Sequence, residues 1–454
     1  MALVVLVVAT AIQAYWLRSF EPRLVTDSIS YIAPARTLLA GSGFLEPQRR
    51  TWVLDADPVR PLGPGTFRTP GYPATLAVAF AAGLSIAGIV GAQHALLVAL
   101  SVAIYLFTLR TTQSIGVAAT AGLLHAFYLP SSATANDIMA DTLFAPLFFT
   151  AFVLAYAAGR YPLAGAAAGT VAGLAALVKP IGLLYCVVIA FSLLKRRKFG
   201  AMVLCLVLAM AIDGAWIVRN HAQTGVATFC SLPGENLLFF NANATLLVSE
   251  RGIAYGLFAP HTQTDFWRHI YRRFPSLFAL AEARMEATRG HKAVHELNHA
   301  KWSGVYAEVG RDVILTHKGA YFVTAVSGII GTYLDGMWET GTASLGLDLY
   351  FWKPFLIAVS AFAVLAAILG LVVLWRTDDT LCVLTILTLG FLTILSSGPA
   401  SEPRLGIPIA PVFAIPVAVG LDAIRRKSLH SLRFVRARFG GIARRGEGRR
   451  ASGD

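Results

Sequence analysis

Residues 163–220 read LAGAAAGTVAGLAALVKPIGLLYCVVIAFSLLKRRKFGAMVLCLVLAMAIDGAWIVRN. Three apolar runs fill this stretch, at 163–178, 181–194 and 201–217. Each approaches the ~20 residues that cross the hydrocarbon of a bilayer. Lys179–Pro180 separates the first two, Lys195-Arg196-Arg197-Lys198 separates the second from the third, and Arg219–Asn220 closes the third. Oily runs punctuated by charge describe a polytopic membrane protein, and helices satisfy every backbone group inside such runs. The expected fold class is all-α. Cytoplasmic loops are enriched in Lys and Arg, so the basic run at 195–198 belongs in the cytoplasm and Lys179 and Arg219 at the outer face.

Working outward, the first run at 2–17 lacks a basic start and a small-residue cleavage pattern, so it reads as a retained span. A polar, Pro- and Gly-rich segment follows at 21–70, and the apolar run at 71–83 is too short to cross, so it is expected to lie at the interface. Spans are expected at 86–109, 116–134 and 141–158, with Arg110 and Arg160 cytoplasmic. The hydrophilic block 221–318 then falls outside. Spans at 352–374, 381–395 and 406–421 lead to the tail, which puts Arg404 outside and the tail inside. The run 321–334 reads as interfacial or re-entrant, because a further span would reverse the tail. The expectation is a bundle of about ten or more spans with both termini cytoplasmic. It divides into a module at 1–220 carrying a short-helix outer loop at 21–70, a modest outer domain at 221–318, a second membrane module at 319–424 and a basic tail at 425–454.

Composition agrees and excludes other classes. The chain has 454 residues, 56% hydrophobic and only 14% charged, against about 25% charged in soluble proteins. The net charge of +13 is mostly the tail, where ten Lys/Arg and two acidic residues contribute +8. That is an anchor near anionic lipid rather than a nucleic-acid surface. Four scattered cysteines make no disulfide framework and no redox motif.

The topology gathers charged and polar residues at the outer face, where an ionisable group near hydrocarbon is a candidate for function. Asp27, with Tyr31 nearby, fits a general base toward a hydroxyl or the N-cap of a helix running to residue 39. Arg68 precedes Thr-Pro-Gly-Tyr72-Pro and suits a phosphate, with Tyr72 against lipid or sugar; a snorkelling Arg beside a turn is the plainer reading. Asp141 opens a span and also suits a cap. Lys179, Arg219 and Arg404 each border a span, and so many outer cations run against the positive-inside tendency and suggest an anionic ligand. His295-Glu296-Leu-Asn-His299 fits a zinc-hydrolase pattern if 278–309 is one helix. The chain has no third-ligand pattern after it, and a solvated helix explains the string as well. Asn243-Ala-Thr245 fits a glycosylation sequon without a setting that supports it. A transporter would carry charge at mid-membrane depth, where Asp213 comes nearest.

Taken in order, Asp27-Ser-Ile-Ser-Tyr31, Arg68-Thr-Pro-Gly-Tyr-Pro73, Ala140-Asp141-Thr-Leu-Phe144, Val178-Lys-Pro180, Trp216-Ile-Val-Arg-Asn220, Gly234-Glu235-Asn236-Leu-Leu238 and Arg404-Leu-Gly-Ile-Pro408 resemble the GT-C membrane glycosyltransferases. The nearest branch is the bacterial one related to protein O-mannosyltransferases and lipid A aminoarabinose transferases. That resemblance implies inverting transfer of a hexosyl or pentosyl unit from a polyprenyl-phosphate sugar. The acceptor would be a lipid, glycan or protein outside the bacterial inner membrane, and no metal or other cofactor is expected. It makes Asp27 the presumed base with Asp141 as the second carboxylate. Arg68, Lys179, Arg219 and Arg404 would hold the donor phosphate, and Tyr31, Tyr72, Asn220, Glu235 and Asn236 would contact substrate. Two departures stand out: Ser28 where the family often has a second acid, and Asp141 where Glu is common.

Overall fold

The computed structural model describes residues 1–54, 60–254, 264–335, 346, 349–398 and 406–447. The first half comprises α1 (Ala2–Ser19), α2 (Thr26–Leu39), β1 (Leu45–Pro47), β2 (Leu62–Pro64), α3 (Gly71–Ala81), α4 (Ile86–Thr112), α5 (Ile115–Ala126), α6 (Leu129–Ala135), α7 (Asp141–Ala157), α8 (Pro162–Val178), α9 (Tyr185–Lys195) and α10 (Phe199–Thr224). Then come α11 (Leu232–Glu235), a π-helix (Asn236–Ala242), α12 (Asn243–Arg251), α13 (Thr264–Arg272), α14 (Phe274–Arg289), α15 (His291–Val294) and α16 (His299–Thr316). The remainder is α17 (Lys318–Ile330), a second π-helix (Gly331–Asp335), α18 (Leu349–Thr377), α19 (Asp379–Ser396) and α20 (Ala410–Glu447). The all-α bundle is as expected. Among the described residues its single sheet is a hairpin in the first loop, Leu45 opposite Pro64 and Glu46 opposite Gly63.

Two main cores are built separately, beside two small clusters around Val5–Tyr105 and Ala366–Val417. The larger one joins α2 to α10 with α19 and α20, and is filled by Phe144, Phe148, Phe152 and Tyr185 among others. The smaller core belongs to the lobe between α10 and α17, around Phe239, Trp302 and Tyr306, and Val53 of the first loop packs on it. Within the bundle α8 lies tightly on α10. A Cβ on Gly169 would fall 2.2 Å from the Cys205 carbonyl oxygen, and Gly165 and Gly173 sit on the same stripe. Small residues every fourth position let membrane helices approach by van der Waals packing where lipid offers no hydrophobic drive.

Five described helices are long and apolar enough to cross a membrane, or six if the bent pair α16–α17 is one span; α5, α7 and α8 are apolar but shorter. These apolar helices make the chain an integral membrane protein. The run at 116–134 is not one helix as expected. It ends at Ala126 and restarts as α6, because Pro130 suits only a first turn and restrains the residue before it. The 321–334 run forms α17 and the π-helix, turned by 103° from α16. Helix α7 runs between the two ends of the bundle. Asp141 begins it beside Lys179, and Tyr156 ends it beside Arg196, where Arg110, Arg160 and Arg376 also gather.

Candidate active site

Helix α2 starts after Val25, whose N–H is taken by Ser28 Oγ at 3.0 Å. Asp27 is therefore not the cap. Its carboxylate instead meets Arg68 Nη2 at 2.8 Å, and the Arg68 side chain is 7% exposed against 29% for Asp27. Arg68 Nε donates to Ser30 Oγ at 2.8 Å, and the guanidinium lies over the Tyr31 and Phe67 rings at 4.5 and 4.7 Å. Asp141 is likewise no cap; Ala140 holds that position, and Asp141 is buried in an ion pair with Lys179. The approach of Arg68 to Lys179 has a backbone cause. A Cβ on Gly71 would sit 2.7 Å from the Leu177 carbonyl oxygen, so only glycine lets α3 press on the end of α8.

Two cavities meet at Arg68, Leu232, Asn236 and Phe240. The first, about 550 Å³, is lined by Arg68, Asp141 and Lys179, with Ile181, Leu184 and Ile394 along its wall. Leu184 and Ile394 are 56% and 71% exposed, so this wall continues onto the outside of the bundle. The second, about 710 Å³, is lined by Asp27, Asp137 and Glu235 with Trp52, Phe67 and Tyr271. The charged lining is thus two cations and one anion in the first, and one cation and three anions in the second. Glu235 is held by the Trp52 backbone N–H, 2.6 Å from Oε1, and by His299 Nε2 at 3.0 Å. It opens onto the π-helix at Asn236–Ala242, a form of turn that recurs at functional sites.

The remaining candidates lie elsewhere. Arg219 donates to the Gly65 and Phe44 carbonyls at 2.7 and 2.8 Å, and Asn220 Nδ2 to the Thr228 carbonyl at 2.9 Å. Both bind the first loop and the 225–230 turn to α10, and neither lines these two cavities. Tyr72 is buried, edge-on to Tyr31 at 5.1 Å, and its hydroxyl donates to Gln93 Oε1 at 2.6 Å. It braces Tyr31 from behind. Arg404 lies outside the described residues. Asp213 is buried in α10, away from both cavities.

The sequence reading missed three groups, Asp137, Trp52 and Glu46, and gave His299 a different role, as a zinc ligand. Asp137 pairs with Arg23 at 2.9 Å, Trp52 stacks on Phe67, and His299 packs edge-on against Phe67. Glu46 is buried, accepting the Thr66 and Phe67 N–H groups at 2.7 and 3.0 Å. Burial raises its carboxyl above the usual 4.5, against the pull of those hydrogen bonds. Asp137, four residues before Asp141, was the one group with a local signal.

The zinc pattern does not survive. Residues 278–309 are broken at Gly290, with φ +83°, and again before Asn298, whose side chain caps α16. His295 and His299 therefore share no helical face. Glu296 pairs with Lys301 at 2.7 Å, and no group of three metal-ligating side chains occurs among the described residues. Asn243 of the sequon is fully buried, bonded to the Phe239 and Ile270 carbonyls. Cys230 is buried too, and its thiol is pushed up to about 12, far from a reactive thiolate.

No family model matches the sequence, and no curated protein does. Solved structures do resemble the fold. The oligosaccharyltransferase AglB from Archaeoglobus fulgidus, in complex with an inhibitory peptide and a dolichol-phosphate, superposes at a TM-score of 0.52 and 14% identity, over 96% of this chain and 51% of that one. The oligosaccharyltransferase of that organism tethered to an acceptor peptide gives 0.50 and 15%, over 94% and 50%. The chain shares the fold of these two proteins. The chain spans about half the length of these proteins. ArnT from Cupriavidus metallidurans bound to undecaprenyl phosphate aligns over 92% of this chain and 77% of that one, at 12% identity and a TM-score of 0.38. In this chain the two cavities lie where the first loop, α7, α8 and the lobe converge.

Proposed function

We propose that this protein is an inverting glycosyltransferase that moves a sugar from a polyprenyl-phosphate donor to an acceptor hydroxyl. The observation that carries the reading is the junction at Arg68, where a cation-lined cavity with an apolar wall meets a carboxylate-lined one. The polyprenyl chain would follow the wall of Ile181, Leu184 and Ile394 in lipid, with the phosphate at Lys179 and Arg68. The acceptor would enter over Trp52, Tyr271 and Glu235. Asp27 takes the acceptor proton, the freed oxygen attacks the anomeric carbon, and the bond to the phosphate oxygen breaks from the opposite side. Fixed cations aimed at the departing phosphate lower the barrier where charge develops. Tyr31 and Asn236 would complete the walls, and Arg219 and Asn220 would hold the first loop in place rather than touch donor.

We further place this junction on the outer face of a bacterial inner membrane, because the basic residues 110, 160 and 195–198 gather at the other end of the bundle. The test is reconstitution of the purified chain with a panel of polyprenyl-phosphate hexoses and pentoses, following release of polyprenyl phosphate. Turnover of one donor that Asp27→Asn abolishes supports the reading, and wild-type turnover of none refutes it. Labelling of Leu62→Cys by a membrane-impermeant maleimide on intact cells tests the side. The glycan profile of cells lacking the protein then names sugar and acceptor.

A further inference from the structure

The end of the bundle opposite the candidate site holds a cavity of about 720 Å³ that the glycosyl transfer does not use. Four guanidinium groups converge on it from separate elements: Arg110 of α4, Arg160 after α7, Arg196 after α9 and Arg376 of α18. Arg196 is built in. Its Nη1 and Nη2 donate to the Ala155 and Tyr156 carbonyls at 3.2 and 3.1 Å, and it occupies the space a side chain on Gly159 would fill, 1.2 Å from that position. Arg110, Arg160 and Arg376 have no side-chain partner among the described residues, unlike Arg196.

The anions that face these cations do not balance them. Asp378 is already engaged, accepting the Leu381 N–H of its own helix at 2.9 Å and the Tyr156 hydroxyl of α7 at 2.5 Å. Asp379 alone is left, so the lining carries four positive and two negative charges, a net of +2. Arginines that merely snorkel spread around the rim, each to its own patch of water. Four held about one hollow repel one another, and guanidinium forks suit phosphate oxygens. We infer that this cavity binds a phosphate-bearing anion. Trp375, 56% exposed, borders it on the outside of the bundle and would lie along an acyl chain, while the Thr380 hydroxyl adds a donor for the head.

The test uses the full chain purified in a neutral detergent, by native mass spectrometry and thermal shift. Phosphatidylglycerol, phosphatidylcholine and inorganic pyrophosphate are the probes. Phosphatidylglycerol should be retained at one tight site and raise the melting temperature, with phosphatidylcholine inert. Binding should weaken on the order of thirtyfold in Arg110→Gln/Arg160→Gln, at about fivefold per guanidinium. Stabilisation by pyrophosphate alone, lost in the same variant, would make the ligand a free phosphate compound and keep the inference. Should the double variant not fold, Arg376→Gln at the exposed rim is to weaken binding about fivefold by the same arithmetic. Wild type indifferent to both anions, or variants that bind as wild type does, would overturn it. Donor turnover by these variants is expected to match wild type, which separates this site from the transfer reaction.

Discussion

Arg68 and Arg219 look alike in sequence and are opposite in situation. Each has one aromatic residue within three positions before it, Phe67 or Trp216, and each lays its guanidinium over two rings. Arg219 is held by backbone carbonyls, of Gly65 and Phe44, which stay put and cannot release it. Arg68 is held by a carboxylate and a hydroxyl at the meeting of two cavities, partners a substrate can displace. The region around Arg219 is a clasp between the first loop and α10, while the region around Arg68 and Lys179 is open to a ligand. A buried cation reveals its role through what holds it, and sequence position does not say which kind it is.

The comparison breaks first at Asp27. Asp27→Asn keeps the side chain's shape and removes its basicity, so turnover should fall on the order of 10²–10⁴-fold, the usual worth of a positioned proton acceptor. Because Asp27 is not the cap of α2, no stability change from a lost cap is expected. A near wild-type rate in the reconstituted assay would sink the assignment and pass the role to Asp137 or Glu235, which line the same cavity.

Next is Lys179, on the ligand side of the divide. Lys179→Met leaves Asp141 buried without its partner, which costs about 3–5 kcal/mol in known buried pairs, and removes a phosphate contact, for on the order of 10²–10³ in rate. Adding Asp141→Leu should restore most of the melting temperature, since an apolar pair of similar size is often as stable as the ion pair, while turnover stays low. Recovery of both together would make this pair a structural element like Arg219. Arg219→Gln is the mirror test. Losing charge-assisted bonds to two carbonyls should cost about 1.5–3 kcal/mol of stability, with the rate per folded molecule unchanged. A rate loss at full stability would return Arg219 to the donor site.

What was legible in the sequence divides along the same line. The long apolar spans were readable because a bilayer demands apolar length, whereas the broken run at 116–134 was not. Asp27, Arg68, Asp141 and Lys179 were readable because charge at the end of a span is costly. Glu46, Trp52 and the pairing of His299 with Glu235 were not, because their placement depends on the β1–β2 hairpin and on a lobe whose helices begin a hundred residues or more further on. The surroundings of Arg219 were hidden for the same reason: carbonyl partners at Phe44 and Gly65 leave no mark in the sequence. The zinc pattern failed through Gly290 and Asn298, ordinary helix punctuation that a continuous reading of 278–309 passed over.

The smallest effect tests the clasp itself, through Glu46. Burial raises its folded-state pKa above the ordinary 4.5, so the folded protein holds that proton to higher pH than the unfolded chain does. The stability linked to Glu46 is therefore fully present below about 4.5 and is lost as pH rises through the folded value. Glu46→Gln imitates the protonated form and keeps Oε1 for the Thr66 and Phe67 N–H groups. Melting curves from pH 4.5 to 8 should show the variant at least as stable as wild type at neutral pH and with a flatter decline. The difference between the two proteins isolates this one carboxyl from every other titrating group. An equally steep decline in both, or a variant much less stable at pH 7, would mean that the ionised carboxylate is what the clasp needs, paired through space with Arg219 and His299 strongly enough to outweigh its burial.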